Sequence, residues 1–254
     1  MYLYLCDYFL GKRKYKKILD KIETRITDLG ISGRIIRLTI LESIEEIVKE
    51  AVKKGTETII VIGNDKTFSQ AASALANSNA TLGFIPVGKE NKIAEILGIP
   101  KEELACEVIS ARLTETVDLG KINNNYFFSM IEINSHKIFL EDEEWKIFLS
   151  PEISKVKVIN LGYYFDKISN PLDGFLEVVF EKKKESFPPF FFKEEKTIDS
   201  LLFLKKLKIN TLKDKKGVPV LVDNWRVLKT PVKIDVLPKG IKIIVGKRRK
   251  FSKI

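Results

Sequence analysis

The chain has 254 residues, 44% of them hydrophobic, and its 44 Lys+Arg exceed 34 Asp+Glu to give a formal charge of +10. That length and apolar content bury one large core or two modest ones, which excludes a disordered tail or a small disulfide-stapled scaffold. A single histidine, His136, excludes a multi-histidine metal centre, and the two cysteines, Cys6 and Cys106, lack metal-like spacing.

The predicted elements begin with a short apolar strand, Met1 to Leu5. Its positive charge follows the apolar stretch, against a secretory signal, and no apolar run reaches the length of a membrane helix, so a cytoplasmic location is expected. Tyr15 to Leu29 spaces Ile18, Ile22, Ile26 and Leu29 along one helical face, and Gly30 ends it. Strand Gly33 to Leu38 leads into a helix over Ser43 to Lys54. Thr58 to Ile62, TIIVI, is a continuous β-branched run, the mark of a strand covered on both faces in a parallel sheet. A small-residue helix over Thr67 to Ala76, a strand over Thr81 to Pro86 and a helix over Asn91 to Leu97 complete an alternating pattern. That order predicts a three-layer α/β domain over residues 1–108, with its ligand beyond the carboxyl ends of the strands.

From residue 109 onward strand-like segments dominate: Glu115 to Leu119, Tyr126 to Ile133, Lys155 to Leu161, Phe175 to Phe180, Leu207 to Thr211, Val218 to Val222, Pro231 to Leu237 and Ile241 to Val245. They predict a mainly antiparallel β-sandwich over 109–254, with the last strands and tail able to pack back on the first domain. The segment SFPPFFF, Ser186 to Phe192, reads either as aromatics folded onto the core or as an exposed patch facing lipid or a partner.

Charge is uneven: residues 1–110 hold 16 Lys+Arg and 15 Asp+Glu, so nearly all the excess lies in the rest. Val236 to Ile254 carries Lys239, Lys242, Lys247, Arg248, Arg249, Lys250 and Lys253 with no acid. Such a field attracts phosphates or an anionic membrane surface, and no nucleic-acid module accompanies it, so no specific nucleic acid is expected.

Two turns follow buried strands and precede helices. Gly63-Asn64-Asp65-Lys66-Thr67 can present amides to a phosphate, with Asp65 holding a metal or taking a hydroxyl proton, or it can be an Asx turn and helix cap without ligand. In Pro86-Val87-Gly88-Lys89-Glu90-Asn91, Lys89 and Asn91 can share the crevice with Asp65, or Asn91 can cap its helix.

These stretches, with others, resemble the diacylglycerol kinase catalytic domain family, which includes sphingosine kinases and small bacterial lipid kinases. GNDKT at Gly63 to Thr67 is similar to its GGDGT loop, PVGKENK at Pro86 to Lys92 to its PLGTGND loop, and LGIP at Leu97 to Pro100 to the end of its next helix. TVDLGKINNNYFFSM at Thr116 to Met130 resembles the opening of its β domain, and LDGFLEVVF at Leu172 to Phe180 its DG-L-x-V strand. VDNWRVLKTPVKIDVLPKGIKIIV, Val222 to Val245, is similar to its VDGE segment followed by a terminal hairpin.

The resemblance implies ATP and Mg2+ in a cleft between the domains and transfer of the γ-phosphoryl group to a lipid hydroxyl. It implies Asp65 and Asp223 as catalytic residues, and Gly63, Asn64, Lys66, Thr67, Gly88, Lys89 and Asn91 as nucleotide-binding residues. Asp173 and Asp223 are implied metal ligands. It also leaves room for a peripheral position on the inner membrane face and for a homodimer paired through a sheet edge. Several positions depart from the pattern. Asn64 and Lys66 replace glycines, Gln70 replaces a carboxylate, Glu90 replaces a glycine, Lys92 replaces an acid, and Trp225 stands where the family has a glutamate. Asn tolerates the left-handed region and Lys does so poorly, and a lysine ammonium does not reproduce a close backbone cradle, so the expected consequence is weak or absent transfer. Trp225 reads as core packing or as a surface for lipid or base. The alternative to phosphoryl transfer is a pseudokinase that keeps nucleotide, phosphate or anionic-lipid binding, and a third reading is unrelated use of the scaffold.

Overall fold

A computed structural model of the chain describes residues 2–182, 198–212 and 216–252. It divides into two units, Met1–Leu119 with Pro238–Ile254, and Gly120–Leu237.

The first unit contains β1 (Tyr2–Cys6), α1 (Lys16–Asp28), β2 (Gly33–Arg37), α2 (Ile44–Lys53), β3 (Thr58–Gly63), α3 (Asp65–Ala74), β4 (Thr81–Pro86), α4 (Lys92–Ile96), α5 (Ala105–Ala111) and the start of β5 (Thr114–Ile122). The helices form where the apolar spacing placed them. α1 buries Leu19, Ile22 and Ile26, and α2 starts at Ser43, whose hydroxyl accepts the Glu46 N–H at 3.3 Å. α5 was not anticipated. The four strands are parallel in the order β2-β1-β3-β4, and every residue of β3 and β4 is buried, as the unbroken TIIVI run required. Burying each such Ile contributes about 2 kcal/mol. Between β1 and β3 the winding reverses, so the carboxyl ends of these two strands open a crevice.

The second unit continues with β6 (Asn125–Phe127), β7 (Met130–Ile133), β8 (Ile138–Glu141), β9 (Lys146–Phe148), β10 (Ile153–Ile159), β11 (Tyr163–Tyr164), β12 (Lys167–Ile168), β13 (Leu176–Lys182), β14 (Ile198–Leu204), β15 (Lys206–Thr211), β16 (Pro219–Val222), β17 (Arg226–Lys229) and the start of β18 (Val232–Ile244). β14-β13-β10-β7-β16-β17 form one antiparallel sheet, while β18, β15, β8 and β9 pair in series. Ile131, Val158 and Val178 from the first set share a buried cluster with Leu140, Ile209 and Ile234 from the second. That is a β-sandwich.

Two sequence expectations change. Tyr126 to Ile133 is not one strand: β6 and β7 are interrupted at Phe128 and Ser129, whose N–H groups turn to the carboxylate of Asp223. Nor do Pro231 to Leu237 and Ile241 to Val245 make a hairpin. They belong to the single strand β18, which pairs antiparallel with β15 through Val232–Asp235 and parallel with β4 through Lys242 and Ile243. At its middle Lys239 has φ +53° and its N–H donates to Asp118 Oδ1 at 2.7 Å, which bends the strand without reversing it.

The basic tail packs on the first unit. Gly246 and Lys250 donate their N–H groups to the Leu97 and Ile96 carbonyls at 2.8 Å each, Arg249 pairs with Glu115 at 2.7 Å, and Phe251 is buried. Gly98 is required there: its φ is +69°, and a Cβ would stand 2.4 Å from the Arg249 nitrogen. SFPPFFF lies outside the described residues.

Candidate functional site

The crevice at the ends of β1, β3 and β4 is built from three turns. After β1 comes Asp7, only 7% exposed, whose N–H donates to Ile62 O at 2.9 Å and whose Oδ1 accepts the Phe9 N–H at 3.2 Å. After β3 comes Asn64, the N-cap of α3, whose Oδ1 accepts the Thr67 N–H at 3.2 Å. The buried Thr67 hydroxyl donates to Asp7 Oδ2, so the ends of β1 and β3 are tied by side chains as well as by the sheet. After β4, Val87 N–H donates to Gly63 O at 2.7 Å and leads into Gly88, with φ +88°. A Cβ on Gly88 would stand 3.3 Å from the Phe9 ring, which packs edge-on against Tyr15 at 5.3 Å between centroids.

Asp65 joins the second and third turns. Its N–H donates to Glu90 O at 3.1 Å, and its carboxylate accepts the N–H groups of Lys92 at 2.7 Å and Ile93 at 3.1 Å. Asp65 therefore caps α4, which Asn91 precedes without a side-chain capping bond. Asn91 instead donates its Nδ2 to Gly88 O at 3.1 Å, leaving its buried Oδ1 without a partner among the described residues. Burial pushes the Asp65 carboxyl up to about 7, against the pull of the two amides. Gly63, Asn64, Asp65, Lys66 and Thr67 are thus brought together with Gly88, Lys89 and Asn91. Lys66, Lys89 and Lys92 are exposed on these turns.

Of the three replaced glycines, only one position needs the left-handed region. Asn64 is extended at φ −115°, and Lys66 sits in the first turn of α3, so neither needs the left-handed region. Glu90 does, at φ +62°.

A sequence model of the diacylglycerol kinase catalytic domain matches residues 3–122, the stretch that contains all three turns. Over this segment the chain is similar to the diacylglycerol kinase catalytic domain family. A diacylglycerol kinase of Bacillus subtilis is 29% identical over 47% of this chain and 41% of its own length. One from Mycobacterium tuberculosis is 36% identical over 31% of this chain and 26% of its own, so these matches span less than half of either relative. A Streptococcus pneumoniae relative is 24% identical over 95% of this chain and 90% of its own. The crystal structure of a diacylglycerol kinase from Bacillus anthracis superposes with a TM-score of 0.77, at 20% identity, over 97% of both chains, which shows the same α/β and β-sandwich fold.

The remaining positions drawn from the family resemblance lie in the second unit. Asp223 and Asn224, at φ +46° and +58°, make the turn between β16 and β17, closed by Trp225 N–H to Val222 O at 3.0 Å. The Asp223 carboxylate accepts three N–H groups, from Phe128 at 2.7 Å, Ser129 at 2.8 Å and Met130 at 2.9 Å. Burial pushes this carboxyl up to about 6 despite those bonds. Trp225 carries the Arg226 guanidinium over its ring at 4.3 Å, and its Nε1 is buried with no partner among the described residues. Asp173 accepts the Phe175 N–H at 2.9 Å.

The residues present fit one implied cofactor better than the other. Exposed ammonium groups on the turns suit the phosphates of ATP, and the orphaned Asn91 Oδ1 suits a hydroxyl or amino group of the nucleoside. At the two positions the resemblance implies, a protein-held magnesium ion does not fit. Asp223 spends both oxygens on three amides, Asp173 is turned to Phe175, and no group of three metal-ligating side chains occurs among the described residues. Sequence reasoning missed Asp7, although the rule that ligands sit beyond the strand ends points to the first residue after β1. The missing signal was pairing: nothing in the sequence says that Thr67 reaches it.

Proposed function

We propose that this protein is a lipid kinase whose first unit binds ATP and passes the γ-phosphoryl group to a lipid hydroxyl. One observation carries the reading: Asp65, a carboxyl raised to about 7, stands at the crevice among exposed lysines. A base near neutrality is matched to taking a proton from an alcohol. Its two amide donors leave carboxylate lone pairs over for that hydroxyl. As the acceptor oxygen bonds to the γ-phosphorus and the bond to ADP breaks, Asp65 receives the hydroxyl proton. Lys66, Lys89 and Lys92 meet the charge on the phosphate oxygens. The likeness to the family and the names of its relatives support the lipid acceptor. No helix is long and apolar enough to cross a membrane among the described residues; the acceptor would be met at the surface of the inner membrane face.

The test is transfer of labelled phosphate from ATP to a lipid extract by the wild type and by Asp65→Asn, which can still accept one α4 amide. Loss of about a hundredfold or more is expected, with wild-type kcat/KM rising with pH through about 7 as Asp65 ionises. Equal rates would remove Asp65 from the chemistry. A second reading, nucleotide binding without transfer, is favoured by Trp225 and the committed Asp223 carboxylate where the family resemblance implies a catalytic pair. ATP binding by a wild type with no turnover on any lipid would select it.

A further inference from the structure

Five amides of the turns are already hydrogen-bonded within the protein. Asp65 N–H is held by Glu90 O, Thr67 N–H by Asn64, Phe9 N–H by Asp7, and the Lys92 and Ile93 N–H groups by Asp65. Those are the groups with which a backbone cradle would grip a phosphate. Outward, the same turns carry cations: Lys66 opens α3, and Lys89 and Lys92 flank the turn after β4. The segment after β1 adds Lys12, Arg13 and Lys14, held at the same place because Phe9 and Tyr15 pack on Gly88. Lys14 lies over the Tyr15 ring at 4.8 Å. All six are exposed, and none makes an ion pair among the described residues. Against them stand two exposed acids, Glu90 on the turn and Glu95 on α4, the latter paired with Lys250. Asp7 and Asp65 are turned to Thr67 and to α4.

We propose that this crevice binds a polyphosphate through side-chain cations and without a divalent metal. The inference rests on the reading that the first unit receives ATP, and it fixes which form of ATP is taken. Magnesium halves the charge of ATP, so a site built of ammonium groups, with no group of three metal-ligating side chains among the described residues, prefers the metal-free anion. The site has exchanged directed backbone bonds for charge, which is less specific in geometry and more sensitive to salt.

Calorimetric titration of the full chain decides it, with three probes: ATP in excess EDTA, ATP in excess magnesium, and tripolyphosphate in EDTA. Metal-free ATP is expected to bind more tightly than the magnesium complex, and tripolyphosphate to bind as well. A Lys89→Ala, Lys92→Ala variant is expected to weaken both metal-free probes by about fivefold per ammonium removed. These lysines are exposed, so circular dichroism should show an unchanged fold. On the unaltered protein, raising salt from about 0.05 M to 0.5 M should weaken binding by roughly tenfold or more. ATP that binds only with magnesium overturns the inference while leaving the kinase reading in place. Tripolyphosphate that binds where ATP does not upholds the cationic site and removes ATP as its ligand. Binding of neither probe, or binding indifferent to salt and to the lysine changes, overturns the inference.

Discussion

Glu177 shows how burial, not sequence type, decides what a carboxyl does. It lies on β13 opposite Ile159, is 2% exposed and has an Oε2 without a partner among the described residues, and burial pushes its carboxyl up to about 8. In the unfolded chain it ionises near 4.5. Between about 4.5 and 8 the folded state therefore holds more protons than the unfolded one, and this group's contribution to stability falls as pH rises. Glu177→Gln keeps the shape and removes the titration. In urea melts the variant should match the wild type near pH 4 and exceed it by the order of a few kcal/mol at pH 8. A gap that shrinks with rising pH would contradict the assignment. Asp65 and Asp223, raised to about 7 and about 6, add to the same trend at lower pH. Glu90, at φ +62°, is strained where glycine is not, so Glu90→Gly should raise the melting temperature by the equivalent of up to about 1 kcal/mol. An unchanged or lower melting temperature would show that its backbone is relaxed.

The elements were legible where one periodicity governed them. TIIVI could only be a doubly covered strand, and the Ile22, Ile26 stripe could only be a helix face. The division of Tyr126 to Ile133 was not legible, because it depends on Asp223, almost a hundred residues later in the chain, drawing the amides of Phe128 to Met130 out of strand pairing. The tail's packing on the first domain was open in the sequence, but its contacts were not legible for the same reason: charge is visible in sequence, and the partner of a charge is not. With Arg249 on Glu115, Lys250 on Glu95 and Phe251 buried, deleting residues 246–254 should do more than reduce net charge. It strips a partner from Glu115, whose side chain is 12% exposed, and removes a buried ring and two backbone bonds. A loss of several kcal/mol is expected in thermal or denaturant unfolding. Melting indistinguishable from the full chain would mean that the tail is peripheral.

At the scale of the whole molecule, the first unit is discontinuous, Met1–Leu119 and Pro238–Ile254, while the second is the single stretch Gly120–Leu237 with its own apolar cluster. Residues 120–237 expressed alone should therefore melt cooperatively with a β-rich circular dichroism spectrum, whereas residues 1–119 alone should not. The latter lack the second half of β18, whose Lys242 and Ile243 pair with Thr81 and Leu82 of β4. A cooperatively melting 1–119 fragment would contradict this dependence. By itself the sequence determined the α/β and β-sandwich fold class, the resemblance to the diacylglycerol kinase catalytic domain, and the turns after β3 and β4, because these follow from local periodicity and from short contiguous motifs. Only the tertiary structure decided that β18 serves both units, that Asp7 holds Thr67, and that Asp65 accepts two amides of α4 while Lys66, Lys89 and Lys92 are exposed. Each of these is a pairing between residues far apart in the chain, and a hydrogen bond or ion pair depends on angstroms that one-dimensional order does not contain.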